Sequence, residues 1–372
     1  MAQANMTKVQ EPFVRMVKRD TISMQKAWAI RLIAVLLSLI VCAIAIVPIT
    51  HQNPVEIYAG IVSGAVGNSR RIWVSIRELL MLLTIAVGLT PAFKMKFWNV
   101  GAEGQILMGG LASAALMIYA GNAMPNWLLL IVIFIASAAA GLIWGIIPAI
   151  FKAYFKTNET LFTLMMNYVA MQIITFCIVF WENPKGSNTV GIINSKTQAG
   201  WFPSIFGNAY VLNLIVVLLI TVVMSIYMKY SKQGYEIAVV GESESTARYA
   251  GINVKKVIIR TMALSGAICG VAGSIIVSGA SHTISTSTAG GRGFTAIIVA
   301  WMSKFNPLAM ILVSAFLVFM QEGSIEIATQ FGLNKNASDI ITGIILFFLI
   351  GCEFFINYEL KFRKKHEEEV QA

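Results

Sequence analysis

The chain has 372 residues, 57% of them hydrophobic and only 12% charged, where an ordinary soluble domain carries about 25% charged residues. That composition excludes a soluble globule, and a mean hydropathy of +0.73 supplies apolar residues for roughly ten spans of about 20 residues each. The expected fold is therefore an all-α polytopic membrane protein, with the net charge of +10 setting its orientation in the bilayer rather than marking a nucleic-acid partner.

In chain order, an arm over 1–27 carries Lys8, Arg15, Lys18, Arg19 and Lys26 ahead of an apolar run from Trp28 to Thr50. That run is too long for a signal-peptide core and is expected to be a retained first helix. Further apolar windows lie at about 72–93, 99–119, 126–151, 160–181, 209–228, 261–280, 293–303, 306–328 and 338–357. A transmembrane domain over 28–357 and a charged tail over 358–372 follow from them. Placing the N-terminus in the cytoplasm puts 20 of the 28 basic residues on the inner side, so both termini are expected there. The long outer segments are then 51–71 and 182–208, and the largest inner one is 229–260.

The four cysteines, Cys42, Cys177, Cys269 and Cys352, all fall in apolar stretches without paired spacing, and His51, His282 and His366 stand far apart. They read as reduced core residues and isolated side chains, with no metal or cofactor expected. Arg77 and Glu78 are neighbours on a helix and are expected to face apart, each seeking a partner on another helix or snorkelling. Gly101, Gly104, Gly109 and Gly110 surround Glu103 and Gln105. Such glycines permit close packing or an unwound turn, so Asn99, Glu103 and Gln105 either face a passage or sit on a packing face near the headgroups.

Asn158 is placed to cap the next helix, and Thr163 and Asn167 share a face four residues apart. An Asn inside an apolar helix needs a partner, which is another helix or a ligand. In GESESTARYAGI (Gly241–Ile252), Ser243 or Ser245 can cap a short helix and Gly251 can end it. Glu322 and Glu326 share a helix face that should meet water, a basic partner or a protein interface. TNETLFTLMMNY (Thr157–Tyr168) is similar to KNASDIITGIIL (Lys335–Leu346), and WNVGAEGQILMGG (Trp98–Gly110) to TAGGRGFTAIIVAWM (Thr288–Met302). Five spans separate the equivalents, an odd number, which predicts two inverted repeats. A neutral, hydroxyl-rich solute would be met by Asn99, Gln105, Thr163 and Asn167, with Phe294 available to stack.

Taken in order and spacing, WNVGAEGQILMGG, TNETLFTLMMNY, GESESTARYAGI with the following SGAICGVAG, and GGRGFTAIIVAW resemble the permease subunits of bacterial ABC importers for nucleosides and simple sugars. The resemblance runs over nearly all of the chain after the first span. It implies a pore-forming subunit working by alternating access, paired with a second, different permease, an ATP-hydrolysing subunit below and a substrate-binding protein or lipoprotein outside. It also implies that Gly241, Glu244, Ala247, Tyr249 and Gly251 form the element that meets the ATPase. WMSKFNP (Trp301–Pro307) departs from the pattern, which has a Gly-containing turn there. The phosphate-binding pattern GxxxxGK[ST] is absent from the sequence, so ATP hydrolysis is expected on another subunit. The competing expectations are a branched-chain amino-acid permease of the same broad fold, a proton-coupled carrier and a membrane-embedded enzyme.

Overall fold

The computed structural model describes residues 14–19, 22–50, 53–205, 207–332 and 335–362. Lys8, His51, His366, the Asn336 side chain and the basic tail after Phe362 lie outside the described residues. Helices α1 (Met24–Thr50), α2 (Pro54–Val66), α3 (Ser69–Lys94), α4 (Ala102–Ala120), α5 (Asn126–Phe155), α6 (Glu159–Trp181) and α7 (Val211–Tyr230) come first. They are followed by α8 (Lys232–Glu242), α9 (Glu244–Tyr249), α10 (Val254–Ile276), α11 (Arg292–Met302), α12 (Pro307–Gln330) and α13 (Lys335–Asn357). A π-helical turn, Val277–Ser281, extends α10.

Among the described residues, eight helices are long and apolar enough to cross a membrane: α1, α3, α5, α6, α7, α10, α12 and α13. The protein is a multi-pass membrane protein. Two of the ten apolar windows, 99–119 and 293–303, hold helices outside that set of eight. Polar Glu103 and Gln105 dilute the first turn of α4, and α11 has only 11 residues, about 16 Å at 1.5 Å per residue against a hydrocarbon core of about 30 Å. Conversely, the segment 51–71, expected to be a connection, contains an apolar 13-residue helix, α2, that its Gly and Ser content disguised.

The chain forms two compact units, one from residues within 1–61 and 323–372, the other from 62–322. In the first, α1 packs on α13 through Ala27, Ala34, Cys352 and Ile356, and an Arg31–Glu353 ion pair of 2.7 Å ties the two helices together. Strands β1 (Val14–Lys18) and β2 (Tyr358–Phe362) pair antiparallel, a small ribbon formed within the expected arm (1–27) and tail (358–372).

The second unit is built around α10, of which 78% of the apolar window is buried, against 22% for α7. In lipid no hydrophobic force pulls apolar helices together, so small residues that let backbones touch decide the packing. The α4, α5 and α10 backbones meet at glycines: a Cβ on Gly109 would lie 2.2 Å from the Gly270 carbonyl oxygen, and one on Gly266 2.3 Å from that of Gly141. α10 is thereby wedged between its neighbours, while α6 and α7 present apolar outer faces such as Phe176, Phe180, Leu219 and Val223.

Candidate functional site

Between α3 and α4 the chain leaves the helical path. Lys96 takes a left-handed φ of 58°, and α4 begins at Gly101 without a side-chain cap of its own. The first N–H groups of a helix need acceptors, and α6 supplies one. Asn167 Oδ1 accepts from the Gly104 N–H at 2.8 Å, while its Nδ2 donates to the Val100 carbonyl at 3.0 Å. Thr163 Oγ1 accepts from the Val100 N–H at 3.2 Å. Asn99 and Gln105 bond reciprocally through their amides at 3.3 Å, and Asn99 also donates to Ser265 of α10 at 3.4 Å. All four side chains are buried. Thus Asn99, Gln105, Thr163 and Asn167 converge, and they brace a break in the helical backbone.

A second uncapped helix start lies at α11, entered through Gly290 and Gly291 with φ of 61° and 77°. Here α4 provides the acceptor. Glu103 Oε1 accepts from the Gly291 N–H at 2.6 Å and Oε2 from the Gly293 N–H at 2.8 Å, setting a carboxylate on the positive end of α11. Gly293 has no room for a side chain, because a Cβ there would lie 2.7 Å from Glu103 Oε2. Phe294, next in sequence, is 41% exposed, so it does not join the buried polar cluster.

Arg292 in the same turn donates to Glu78 Oε2 of α3 from Nε at 3.0 Å and Nη2 at 2.6 Å. Glu78 Oε1 accepts from Arg77 at 3.2 and 2.8 Å. The expectation that Arg77 and Glu78 face apart is corrected: the long guanidinium folds back over one carboxylate oxygen, leaving the other for Arg292. Arg77 also lies over the Tyr210 ring at 5.6 Å, and Glu322 of α12 stands within electrostatic range of Glu78, Arg77 and Arg292.

On the face reached through Lys94 and Lys152, Ser243 caps α9 by accepting from the Thr246 N–H at 3.3 Å, and Gly251 follows it with φ 75°. Ala247 is fully buried among Ala92, Met95, Ile237 and Val257. Gly241 sits against the end of α3, where a Cβ would lie 2.0 Å from the Lys94 carbonyl oxygen. On this anchored base Tyr249 is 95% exposed, and Glu244 pairs with Arg248 across one turn at 3.3 Å. An ion pair of 2.6 Å, Lys152–Glu159, joins α5 to α6 beside it. The five residues expected to act together thus divide by geometry: Gly241, Ala247 and Gly251 shape the element, while Glu244 and Tyr249 face outward.

The residues missed from sequence are Glu78, Arg292 and Ser265 as members of these clusters. One signal is present in the sequence: α4 and α11 both start in Gly-rich turns lacking Ser, Thr, Asp or Asn at the capping position, which calls for an acceptor from elsewhere in the fold.

Three relatives match nearly end to end. The chain is 29% identical over 340 residues to the guanosine ABC transporter permease protein NupP of Bacillus subtilis, with 90% of this chain and 96% of that protein covered. It is 27% identical over 338 residues to the nucleoside ABC transporter permease protein NupB of Lactococcus lactis, covering 88% and 92% respectively. With the glucose ABC transporter permease protein TsgB13 of Haloferax volcanii it shares 25% identity over 356 residues, 92% of each chain. Residues 73–350 match the family described as branched-chain amino acid transport system, permease component, a stretch that holds the braced α4 start, the capped α11 and the α8–α9 element, and the chain belongs to that family.

Proposed function

We propose that this chain is the permease subunit of an ATP-driven importer that carries nucleosides or simple sugars, nucleosides ahead of sugars. The near full-length likeness to permeases named for guanosine, nucleosides and glucose carries this reading.

In this reading an ATP-hydrolysing subunit docks on α9, with Tyr249 and Glu244 as its contacts, and the buried Ala247 and Gly241 transmit the movement to α3. A second, different permease completes the pathway, and an extracytoplasmic binding protein or lipoprotein delivers the solute. Both termini lie in the cytoplasm, and helices α3–α6 and α10–α13 are the inverted repeats. The permease domain spans 28–357, with the coupling region at about 229–260. Asn99, Glu103, Gln105, Thr163 and Asn167 act on the path through the two helix starts they hold, and Phe294 faces it. Alternating access shifts those helix starts between two arrangements.

The test is uptake of labelled guanosine, uridine, ribose, glucose and leucine into proteoliposomes holding the complete complex. ATP-dependent nucleoside or sugar uptake is the expected result. Leucine uptake alone moves the chain to amino-acid transport, and uptake that ignores ATP but collapses with a protonophore makes it a proton-driven carrier.

A further inference from the structure

The unit containing the first and last helices carries a groove lined by none of the residues proposed for the path or the coupling element. The β1–β2 ribbon is pinned to the end of α13 by the Arg19 N–H donating to the Asn357 carbonyl at 2.9 Å. Between this ribbon and the first turns of α1 lies a groove of about 710 Å³, within the range of about 300–1,000 Å³ typical of small-ligand sites. Among the described residues its rim carries the cations Lys18, Arg19 and Lys26 and the carboxylate Glu359, and its floor includes Ile22, Ile30 and Ile33. The buried Nε of Arg19 has no hydrogen-bond partner among the described residues.

The floor continues down α1. Ile33, Leu37, Ile40 and Ile44 follow at spacings of four, three and four, hence on one helical face, and they are 54%, 46%, 54% and 67% exposed. Because α1 is long and apolar enough to cross a membrane, this stripe lies in hydrocarbon and the cationic rim at the level of the headgroups. A net positive rim leading directly into an apolar lane matches the shape and charge of one molecule class.

We infer that this groove binds an anionic phospholipid, its phosphate held among Lys18, Arg19 and Lys26 and an acyl chain laid along Ile33, Leu37 and Ile40. Basic juxtamembrane clusters attract anionic headgroups. A zwitterionic lipid brings its own cation to the rim and gains less. A free phosphate satisfies the rim but leaves the isoleucine floor and the stripe below it without an occupant. The bound lipid would join the ribbon, α1 and the end of α13, tying both chain ends to the same membrane surface.

The experiment is native mass spectrometry of the full chain in mild detergent, titrated with phosphatidylglycerol, phosphatidylcholine or inorganic phosphate. The expected result is saturable phosphatidylglycerol binding, about tenfold tighter than phosphatidylcholine, unaffected by equimolar inorganic phosphate. Lys18→Gln/Arg19→Gln/Lys26→Gln should abolish that preference, whereas Lys185→Gln/Lys196→Gln, in the 182–208 segment, should keep it. If the triple variant does not fold, the single Lys26→Glu change at an exposed position should lower the preference at least severalfold. Equal binding of the two lipids, displacement by inorganic phosphate, or full phosphatidylglycerol binding by a folded rim variant overturns the inference.

Discussion

Glu78 accepts four hydrogen bonds from two guanidiniums, and Glu103 sets one oxygen on each of two backbone N–H groups. Deleting one partner of a largely buried pair leaves the other charge uncompensated. A double-mutant cycle of Glu78→Gln and Arg292→Gln, read by thermal unfolding in detergent, should return a coupling energy of about 1–3 kcal/mol. Additive losses would show that the 2.6 Å contact carries no net stability. For Glu103, replacement by Ala orphans the Gly291 and Gly293 N–H groups, at about 1–3 kcal/mol for a buried unsatisfied group. Glu103→Gln retains one acceptor and should fall between wild type and Ala in both melting temperature and uptake rate. If Ala behaves as wild type in both, the capping role of Glu103 is void. The chemistry of these residues is legible in the sequence, since an Asn or Glu in an apolar helix must find a partner. Which backbone groups they serve is not, because the partners lie tens of residues away, as with Asn167 and Gly104, or nearly two hundred, as with Glu103 and Gly293.

Element by element, the short helix α9 follows its local signals closely: the Ser243 cap and the left-handed Gly251 both stand where the sequence places them. What local signals leave out is that Ala247 points into the core while Tyr249 points away from it. Enlarging Ala247 would therefore disturb the anchor as well as any docking surface. Tyr249→Ala is the cleaner probe. It should leave the stability to thermal unfolding within about 0.5 kcal/mol of wild type, as exposed substitutions usually do, while lowering solute-stimulated ATP hydrolysis in the assembled complex. Unchanged hydrolysis and transport would remove α9 from the coupling path. The turn after α11 shows the limit of pattern reading in the other direction. WMSKFNP lacks glycine, yet Lys304 and Phe305 adopt φ of 48° and 60°, a conformation that non-glycine residues enter at a cost. Packing supplies compensation, because Phe305 meets Trp301 edge-on at 5.4 Å and Trp301 stacks on Trp98 at 5.4 Å.

For the whole molecule, the long apolar helices are readable because hydrocarbon thickness imposes a length and composition that few other structures share. Half-length elements escape that rule. α2 and α11 are each too short to cross, and of the two only α11 coincides with an apolar window. Orientation can be checked directly. Single cysteines near Asn188 and Ser243, introduced where Cys42, Cys177, Cys269 and Cys352 have been replaced, should react with an impermeant thiol reagent from opposite sides of the membrane. Labelling from the same side would overturn both the cytoplasmic termini and the inverted repeats.

The 182–208 segment also bears on how the protein can be watched. Trp201 lies flat on His282 with ring centroids 3.7 Å apart and planes 7° apart, and the Ile193 N–H donates to the His282 carbonyl at 2.8 Å. His282 stands just past the π-helical turn of α10. Burial holds its imidazole below the ordinary histidine range, with the Val277 backbone hydrogen bond opposing. A folded-state value below the unfolded one means that the neutral ring contributes stability above about pH 6.5, and that this contribution is lost as the pH falls through the lower, folded value. An imidazolium against an indole face is also an effective quencher of its emission. In a variant retaining Trp201 alone of the eight tryptophans, fluorescence should therefore be steady near neutrality and dim at acidic pH, with a midpoint below that of free histidine, and His282→Gln should abolish the titration. A midpoint at or above the free value would mean that the ring is not buried against Trp201. A dye-free optical probe would then be built into the far end of the most deeply buried helix, able to report in real time whether that helix shifts during a transport cycle.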